Sequence, residues 1–380
     1  MAERQEVVFV TGYPGFIGKR LVRRLVEEGR RRKARLALLV QPRFAAAAAA
    51  ELAELGAADH EVIEGDVVQM HLGLSGTEFK RLRSQVTEIW HLAAIFYMGA
   101  ERDLMKRVNV EGTRNVVELA RTSPGLTRLN HFSTTLVSGD RVGVILEDEL
   151  EMGQRFHNPY EETKFKAEVI VRRAQAELPV TIYRPSIVVG DSRTGEIDRF
   201  EGPYYLAILL VTSPLVVPLP LPGNGVAPLN VVPVDFVVEA ALSLSRNPAA
   251  IGKTVHVVDP SPLSARKVYE MIAERAHRKL PPISLPHRAV QALLSLPVLE
   301  RLSRPQRAAI EYVNHLAMYN CANLLALLEG TGLRCPPITS YLDRLIDFVR
   351  TESERRRRAE AEAAVEDPLD APPATEGSAT

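Results

Sequence analysis

The chain has 380 residues, enough for one full core and a smaller second lobe, and 46% of them are hydrophobic, as in an ordinary globular protein. Lysine and arginine balance aspartate and glutamate, 47 against 47, so no overall charge points to nucleic acid or to an acidic partner. Cys321 and Cys335 form no C-x-x-C and stand near no histidine pair, which argues against a metal site or a disulfide framework and makes a reducing, cytoplasmic setting the expectation.

The first predicted element, residues 7–10, is a run of mostly β-branched apolar residues that leads into "VTGYPGFIGKRLV" (10–22). Ile17, Leu21, Val22, Leu25 and Val26 then recur at helical spacing. A strand therefore enters this turn and a helix leaves it. Gly12, Gly15 and Gly18 let the backbone bend sharply and a phosphate approach the main chain, while the helix start offers free N–H groups to negative charge. The spacing G-x-x-G-x-x-G is one residue longer between its first two glycines than the usual dinucleotide fingerprint. Gly12, Tyr13, Pro14, Gly15, Phe16, Ile17 and Gly18 are accordingly expected to cradle a dinucleotide. The charged residues before the strand, MAERQE, give no sign of a signal peptide.

Strand patterns follow at 36–40, 61–64, 88–92, 128–133 and 180–183, separated by helical patterns at 19–28, 44–55, 78–84, 110–121 and 161–176. This alternation predicts a Rossmann-type α/β fold, a doubly wound parallel sheet whose ligand lies at the carboxyl ends of the strands. The second strand ends in Gln41-Pro42-Arg43, with no acid between Gly29 and Ala50 to bind a free adenosine ribose. Arg43, with Arg20 as a second guanidinium, suits a 2′-phosphate instead, so NADPH (NADP) is expected over NAD. Asp66 and Val67 in "EGDV" follow the third strand, where Asp66 is placed to bond the adenine amino group. Ala93 and Ala94 in "HLAA" are small enough for the cofactor to lie against the fourth strand.

Tyr160 and Lys164 in "NPYEETKFKAE" form Y-x-x-x-K, which on a helix puts both on one face. An ammonium beside a phenol favours the phenolate and draws its pKa down toward a value useful in acid–base chemistry. The strand before them ends in three hydroxyls, Ser133, Thr134 and Thr135. Beyond residue 184 proline-rich loops and apolar runs give way to helical patterns at 264–276 and 338–349, so residues 1–190 read as the NAD(P)-binding region and 191–350 as a substrate-binding lobe integrated with it. The stretch 204–222 is apolar but broken by four prolines, unsuited to a spanning helix. It is expected to line an entrance for an apolar chain, or to rest peripherally on a membrane. Residues 351–380, with eight acids, four arginines and few large apolar residues, read as a disordered tail.

Taken together, the glycine turn, "GD", "HLAA", "NVEGT", "STTLVSG", Y-x-x-x-K and "YRPSIVVGDSRTGE" resemble, in content and order, an extended short-chain dehydrogenase/reductase. With "GPYY" and "NVVPVDFVVEAA" the chain is similar in particular to the branch of fatty acyl-CoA reductases and thioester reductase domains, the male-sterility type. The resemblance implies Tyr160 as general acid/base, Lys164 as ligand of the nicotinamide ribose, and Thr134 as hydrogen-bond donor to the substrate oxygen. Ser133 and Thr135 leave that last place ambiguous by one residue. It further implies Asn109 as a support of the site or of a proton-relay water, and Pro185, Ser186 and Val188 beside the nicotinamide. The expected activity is NADPH-dependent reduction of an apolar carbonyl compound, foremost an acyl thioester, which arrives free, as an acyl-CoA or on a separate carrier. A hydroxysteroid-type or 3-hydroxyacyl dehydrogenase, a sugar-nucleotide epimerase of the same fold, and a non-catalytic NADP-binding scaffold are the alternatives.

Overall fold

A computed structural model describes residues 5–366 apart from 33, 58, 97–100, 199–224 and 278–313. Its central sheet is wholly parallel and is made of β1 (Val7–Thr11), β2 (Arg35–Val40), β3 (His60–Glu64), β4 (Glu88–His91), β5 (Arg128–Phe132), β7 (Val180–Pro185) and β10 (Thr254–Val257). Their order is β10-β7-β5-β4-β1-β2-β3, so the order in which strands are added to the sheet reverses between β1 and β4. That reversal opens a crevice at the carboxyl ends of the two strands, the usual ligand position in such sheets. Two short parallel ribbons stand apart, β6 (Gly143–Ile145) with β11 (Ala317–Tyr319) and β8 (Ile187–Val189) with β9 (Val231–Pro233).

Strand residues alternate between two apolar layers, as a pleat with period two requires. Val7, Phe9, Ala37, Leu39, Ile89, Leu129 and Ile182 pack on one face; Val8, Val10, Leu36, Leu38, Trp90, Phe132 and Tyr183 pack on the other. Helix α1 (Phe16–Arg32) and α2 (Pro42–Glu54) contribute Leu21, Val22, Leu25, Ala48 and Leu52 to the second layer, and α3 (Gly76–Gln85) contributes Phe79 and Leu82 to the first. A third cluster, built on Val189, Val231, Val268, Ile272, Leu345 and Val349, forms the core of the smaller lobe.

The structure departs from the sequence-based outline in two places. Strand β10 and the helix before it, Val234–Arg246, lie in the stretch assigned to the substrate lobe, yet they complete the dinucleotide-binding sheet, where Phe236, Val237, Leu244, Val255 and Val257 join the core. A four-residue strand with a histidine in it, "TVHV", is too short and too polar to register as a strand pattern. The helix Leu342–Glu366 also runs through half of the predicted disordered tail. Its exposed turn is helped by Glu352, which pairs with Arg355 and Arg356 at i+3 and i+4. Residues 367–380 lie outside the described residues.

Three histidines lie buried in this sheet, His91 on β4, His131 on β5 and His256 on β10. Thr113 Oγ1 donates to the Asn109 carbonyl, so it accepts from His91 Nε2, and His91 Nδ1 accepts from Thr11 Oγ1 at 2.8 Å. His91 is thereby fixed as the neutral Nε2–H tautomer. Burial holds His91 down to about 3, with the Lys164 charge adding to the effect, and burial followed by Arg184 does the same for His256. Burial, Lys164 and His91 push His131 well below the ordinary range, and neither of its ring nitrogens has a hydrogen-bond partner. Because unfolding returns these imidazoles to a pKa near 6.5, the unfolded chain binds more protons below that pH. Stability is therefore expected to be full above about pH 6.5 and to fall toward pH 3, by up to about 1.4 kcal/mol per pH unit for each histidine. Urea unfolding between pH 7.5 and 5 checks this: His131→Leu is expected to show a shallower pH slope than the parent, and equal slopes would contradict a buried neutral His131.

Candidate active site

The glycine turn is tight for a specific reason. Gly12 has φ +93°, and a Cβ there would lie 2.6 Å from the Ala93 nitrogen and the Leu92 carbonyl carbon, at the end of β4. A Cβ on Gly15 or Gly18 would meet the Gly12 carbonyl oxygen at 2.8 or 2.5 Å. All three glycines thus serve one crowded oxygen and one close approach of β1 to β4. Gly15 N donates back to that carbonyl at 2.9 Å, and α1 starts at Phe16, so its first N–H groups open on the crevice. The Tyr13 side chain points the other way: it is buried in the core beside α1 and α2 and its hydroxyl donates to Glu51. Only its main chain is left to face a cofactor.

At the far end of the crevice a hollow of about 620 Å³ is lined by Gln41, Pro42, Arg43, Glu64, Gly65, Asp66, Gln69 and Gly73. Gln41 links two of the expected residues: its Nε2 donates to Asp66 at 2.9 Å and its Oε1 accepts from Arg43 Nε at 3.1 Å. The Arg43 guanidinium lies over the Phe44 ring, 4.6 Å from its centroid. Arg20 is not part of this hollow. Its guanidinium donates to the Phe16 carbonyl and pairs with Glu196 and Asp198, which ties α1 to the loop after β8. Val67 is buried against Gly112, and its carbonyl accepts from Asn115 at 2.7 Å, so it supports the Asp66 turn from below.

Helix α6 (Pro159–Ala174) carries Tyr160 and Lys164, and its start is written in "NPYEE". Asn158 caps it, its Oδ1 accepting from Glu161 N at 3.0 Å, and proline occupies the first turn, where no N–H is needed. Tyr160 is half-buried with the Thr134 hydroxyl beside its phenol, and the Phe96 ring stands edge-on to it at 4.6 Å. Phe96 itself is 41% exposed, which leaves an apolar face beside the phenol. Thr134 Oγ1 also accepts from Leu136 N at 3.2 Å, capping the short turn that follows β5. Ser133 is turned away, donating to Glu168 at 2.6 Å. Of these two hydroxyls, Thr134 is the one on the Tyr160 side.

Lys164 is buried, and its Nζ donates to the Phe132 carbonyl at 2.7 Å. Here the expected electrostatics differ. Burial raises the Tyr160 pKa, opposed by the neighbouring Thr134 hydroxyl, and burial draws Lys164 down to about 8, opposed by Glu168. With its ammonium turned to the backbone of β5, Lys164 does not offset the desolvation of the phenol. Asn109, in a π-helical turn (Lys106–Glu111) before Gly112–Thr122, uses its whole amide on protein: Oδ1 accepts from Ile95 N, and Nδ2 donates to the Ile95 carbonyl and to Thr163 Oγ1. It pins the chain after Ala93 and Ala94 to α6. Pro185 closes β7 with its carbonyl accepting from Thr134; Ser186 bonds Asn230 at 2.8 Å, and Val188 packs on the main core. The segment 204–222 and "GPYY" lie outside the described residues.

Sequence reasoning passed over Phe96, Gln41 and the buried pair Glu168–Arg184. Glu168 was detectable, four residues past Lys164 on the same helical face. Phe96 was not, because nothing in "AAIFYM" marks which apolar residue reaches the tyrosine.

Known proteins share this sequence pattern and fold. Residues 10–241 match the male sterility protein family, an NAD-binding domain. The non-canonical nonribosomal peptide synthetase FrzA of Cladobotryum sp. is 26% identical over 91% of this chain and 36% of its own length. The fatty acyl-CoA reductase wat of Drosophila melanogaster is 27% identical over 64% of this chain and 54% of its own. The crystal structure of the terminal R domain from the myxalamid PKS-NRPS biosynthetic pathway superposes with a TM-score of 0.76 at 26% identity, covering 93% of this chain and 92% of that one. The chain spans about a third or less of the length of the first curated relatives it matches. Among the described residues no helix is long and apolar enough to cross a membrane, and no cluster of metal-ligating side chains occurs. With the family match extending over more than half of its length, this chain belongs to the male sterility protein family of NAD-binding domains.

Proposed function

We propose that the protein reduces the carbonyl of an acyl thioester, presented as an acyl-CoA or on a separate carrier, with NADPH as reductant. The observation that carries this is the pairing of Tyr160 with Thr134 at the mouth of the crevice, beside the half-exposed Phe96 ring. Two hydroxyls converge there on the place a carbonyl oxygen would take, and their other neighbour is apolar. The family relatives named as fatty acyl-CoA reductase and as synthetase reductase domains support the substrate class.

The three crowded glycines and the start of α1 fit the diphosphate of a dinucleotide, since any Cβ would fill the space its main-chain contacts need. Bound there, the nicotinamide supplies hydride to the carbonyl carbon. Thr134 donates a hydrogen bond to the carbonyl oxygen as negative charge develops on it, and Tyr160 delivers the proton. A phenol held protonated by burial is suited to that acid role. Lys164 holds the ribose hydroxyls and, once drawn toward them, lowers the cost of the phenolate left behind. The resulting hemithioacetal collapses to thiol and aldehyde. Phe96 excludes water from the reacting oxygen and disfavours a sugar diphosphate as substrate.

Tyr160→Phe is expected to leave NADPH binding within about twofold while turnover falls by about two orders of magnitude or more, the usual worth of a placed acid. Unchanged turnover would remove Tyr160 from the reaction.

At the other end of the crevice, Arg43 faces the hollow where a 2′-phosphate would lie. Arg43→Ala is expected to weaken NADPH by roughly tenfold and to leave NADH almost unaffected, the signature of one lost guanidinium–phosphate contact. Fluorescence titration of both cofactors decides it, and an equal loss for the two would contradict the assignment.

A further inference from the structure

Beneath the reacting side chains lies a layer of buried charge that the proton and hydride steps do not use. Tyr160, Lys164, Glu168 and Arg172 follow one another at four-residue intervals along α6. Glu168 is fully buried. It accepts from Ser133 Oγ at 2.6 Å, from Arg184 Nη2 at 2.7 Å and Nε at 3.0 Å, and from Arg172 Nε at 3.1 Å. Arg184 passes the connection on to His256 Nε2 at 3.1 Å and to the Glu149 carbonyl at 2.8 Å.

These bonds join the three segments that carry the site. Ser133 stands directly before Thr134, Arg184 directly before Pro185, and Glu168 one turn beyond Lys164 on the helix of Tyr160. We propose that Glu168 is a positioning residue for the reduction: through Ser133 and Arg184 it locks the ends of β5 and β7 to α6, and its carboxylate supplies the negative charge facing the buried Lys164 ammonium.

The other groups facing Lys164 do not supply that charge. His91 from β4 and His131 from β5 are neutral, and the Lys164 charge itself helps to keep them so. The Phe132 carbonyl offers a dipole only. Tyr160, one turn earlier, is held as the phenol. Arg184 and Arg172 face Glu168 and hold its carboxyl ionised, below the usual range despite its burial. Glu168 is the group that opposes the effect of burial on Lys164, which without it would give up its proton more readily.

This builds on Lys164 as the ribose ligand, so the test reads cofactor binding without turnover. NADPH affinity of the full chain is measured by fluorescence titration from pH 6 to 9.5, alongside Lys164→Ala. The parent is expected to lose affinity as Lys164 deprotonates on the alkaline side. In Glu168→Gln that loss is expected to begin about one pH unit lower, with affinity at pH 6 within about threefold of the parent and turnover at pH 8 down by about tenfold or more. Glu168→Gln leaves the Arg184 guanidinium without its carboxylate counter-charge, so Glu168→Gln/Arg184→Gln is run beside it and is expected to show the same downward move. Glu168→Asp, which keeps the charge one methylene back, is expected to retain the parental alkaline limit while turnover falls. An alkaline limit unmoved in the folded Glu168→Gln variant or in the double variant would overturn the role of Glu168. A parent affinity with no alkaline limit, together with unweakened binding in Lys164→Ala, would overturn the role of Lys164 instead.

Discussion

The close approach of β1 to β4 sets the geometry of everything around the crevice. The Gly12 backbone passes so near Leu92 and Ala93 that no side chain fits between them, and the Gly12 carbonyl is then hemmed in by Gly15 and Gly18. From that contact follow the direction in which α1 leaves the sheet, the opening of its first N–H groups on the crevice, and the small residues at the end of β4. The crevice exists because the strand order reverses there. It is usable by a phosphate because three side chains are missing.

Below that crevice the structure carries a large polar interior for a sheet protein. Lys164, Glu168, Arg184, His91, His131 and His256 are all buried. A buried ion pair seldom adds net stability, since the desolvation of both partners offsets their attraction, and removing one partner is costly. The Glu168–Arg184 pair is therefore better understood through what it fixes than through what it stabilises. It sets the ends of two strands and one helix in register, and stability comes from the apolar layers on either side, where Phe9, Trp90, Leu38 and Tyr183 are fully enclosed. The site is thus mounted on strand ends and a helix, and the lobe assembled on Val189, Val231 and the long helix from Leu342 closes beside it.

Much of this was legible in the residues. Strands β1 and β2 are buried on both faces and read as nearly unbroken apolar runs, and the glycine turn and Y-x-x-x-K carry their spacing openly. What stayed hidden was hidden for physical reasons. Strand β10 has four residues, one of them a histidine whose polarity is absorbed by Arg184 and Asn320. The helix through Thr351–Glu366 looks like a solvated tail because its support comes from local ion pairs. Chain order also misled: the stretch after residue 190 is not one lobe, since 234–257 returns to the main sheet. At the site, the sequence pointed to Tyr160, Lys164 and Thr134 by their spacing. It did not say which way Ser133, Tyr13, Arg20 or Asn109 would turn, because each of these was settled by a partner more than 13 residues away.

The central claim is hydride delivery to a thioester carbonyl between Tyr160 and Thr134. The most direct measurement incubates the protein with NADPH deuterated at nicotinamide C4 and an acyl-CoA, then follows the label by mass spectrometry. The account predicts release of free thiol with one deuterium at the carbonyl carbon of the aldehyde formed, or two at that carbon where a second hydride takes it to the alcohol. Binding of NADPH with the thioester recovered intact and unlabelled would contradict it.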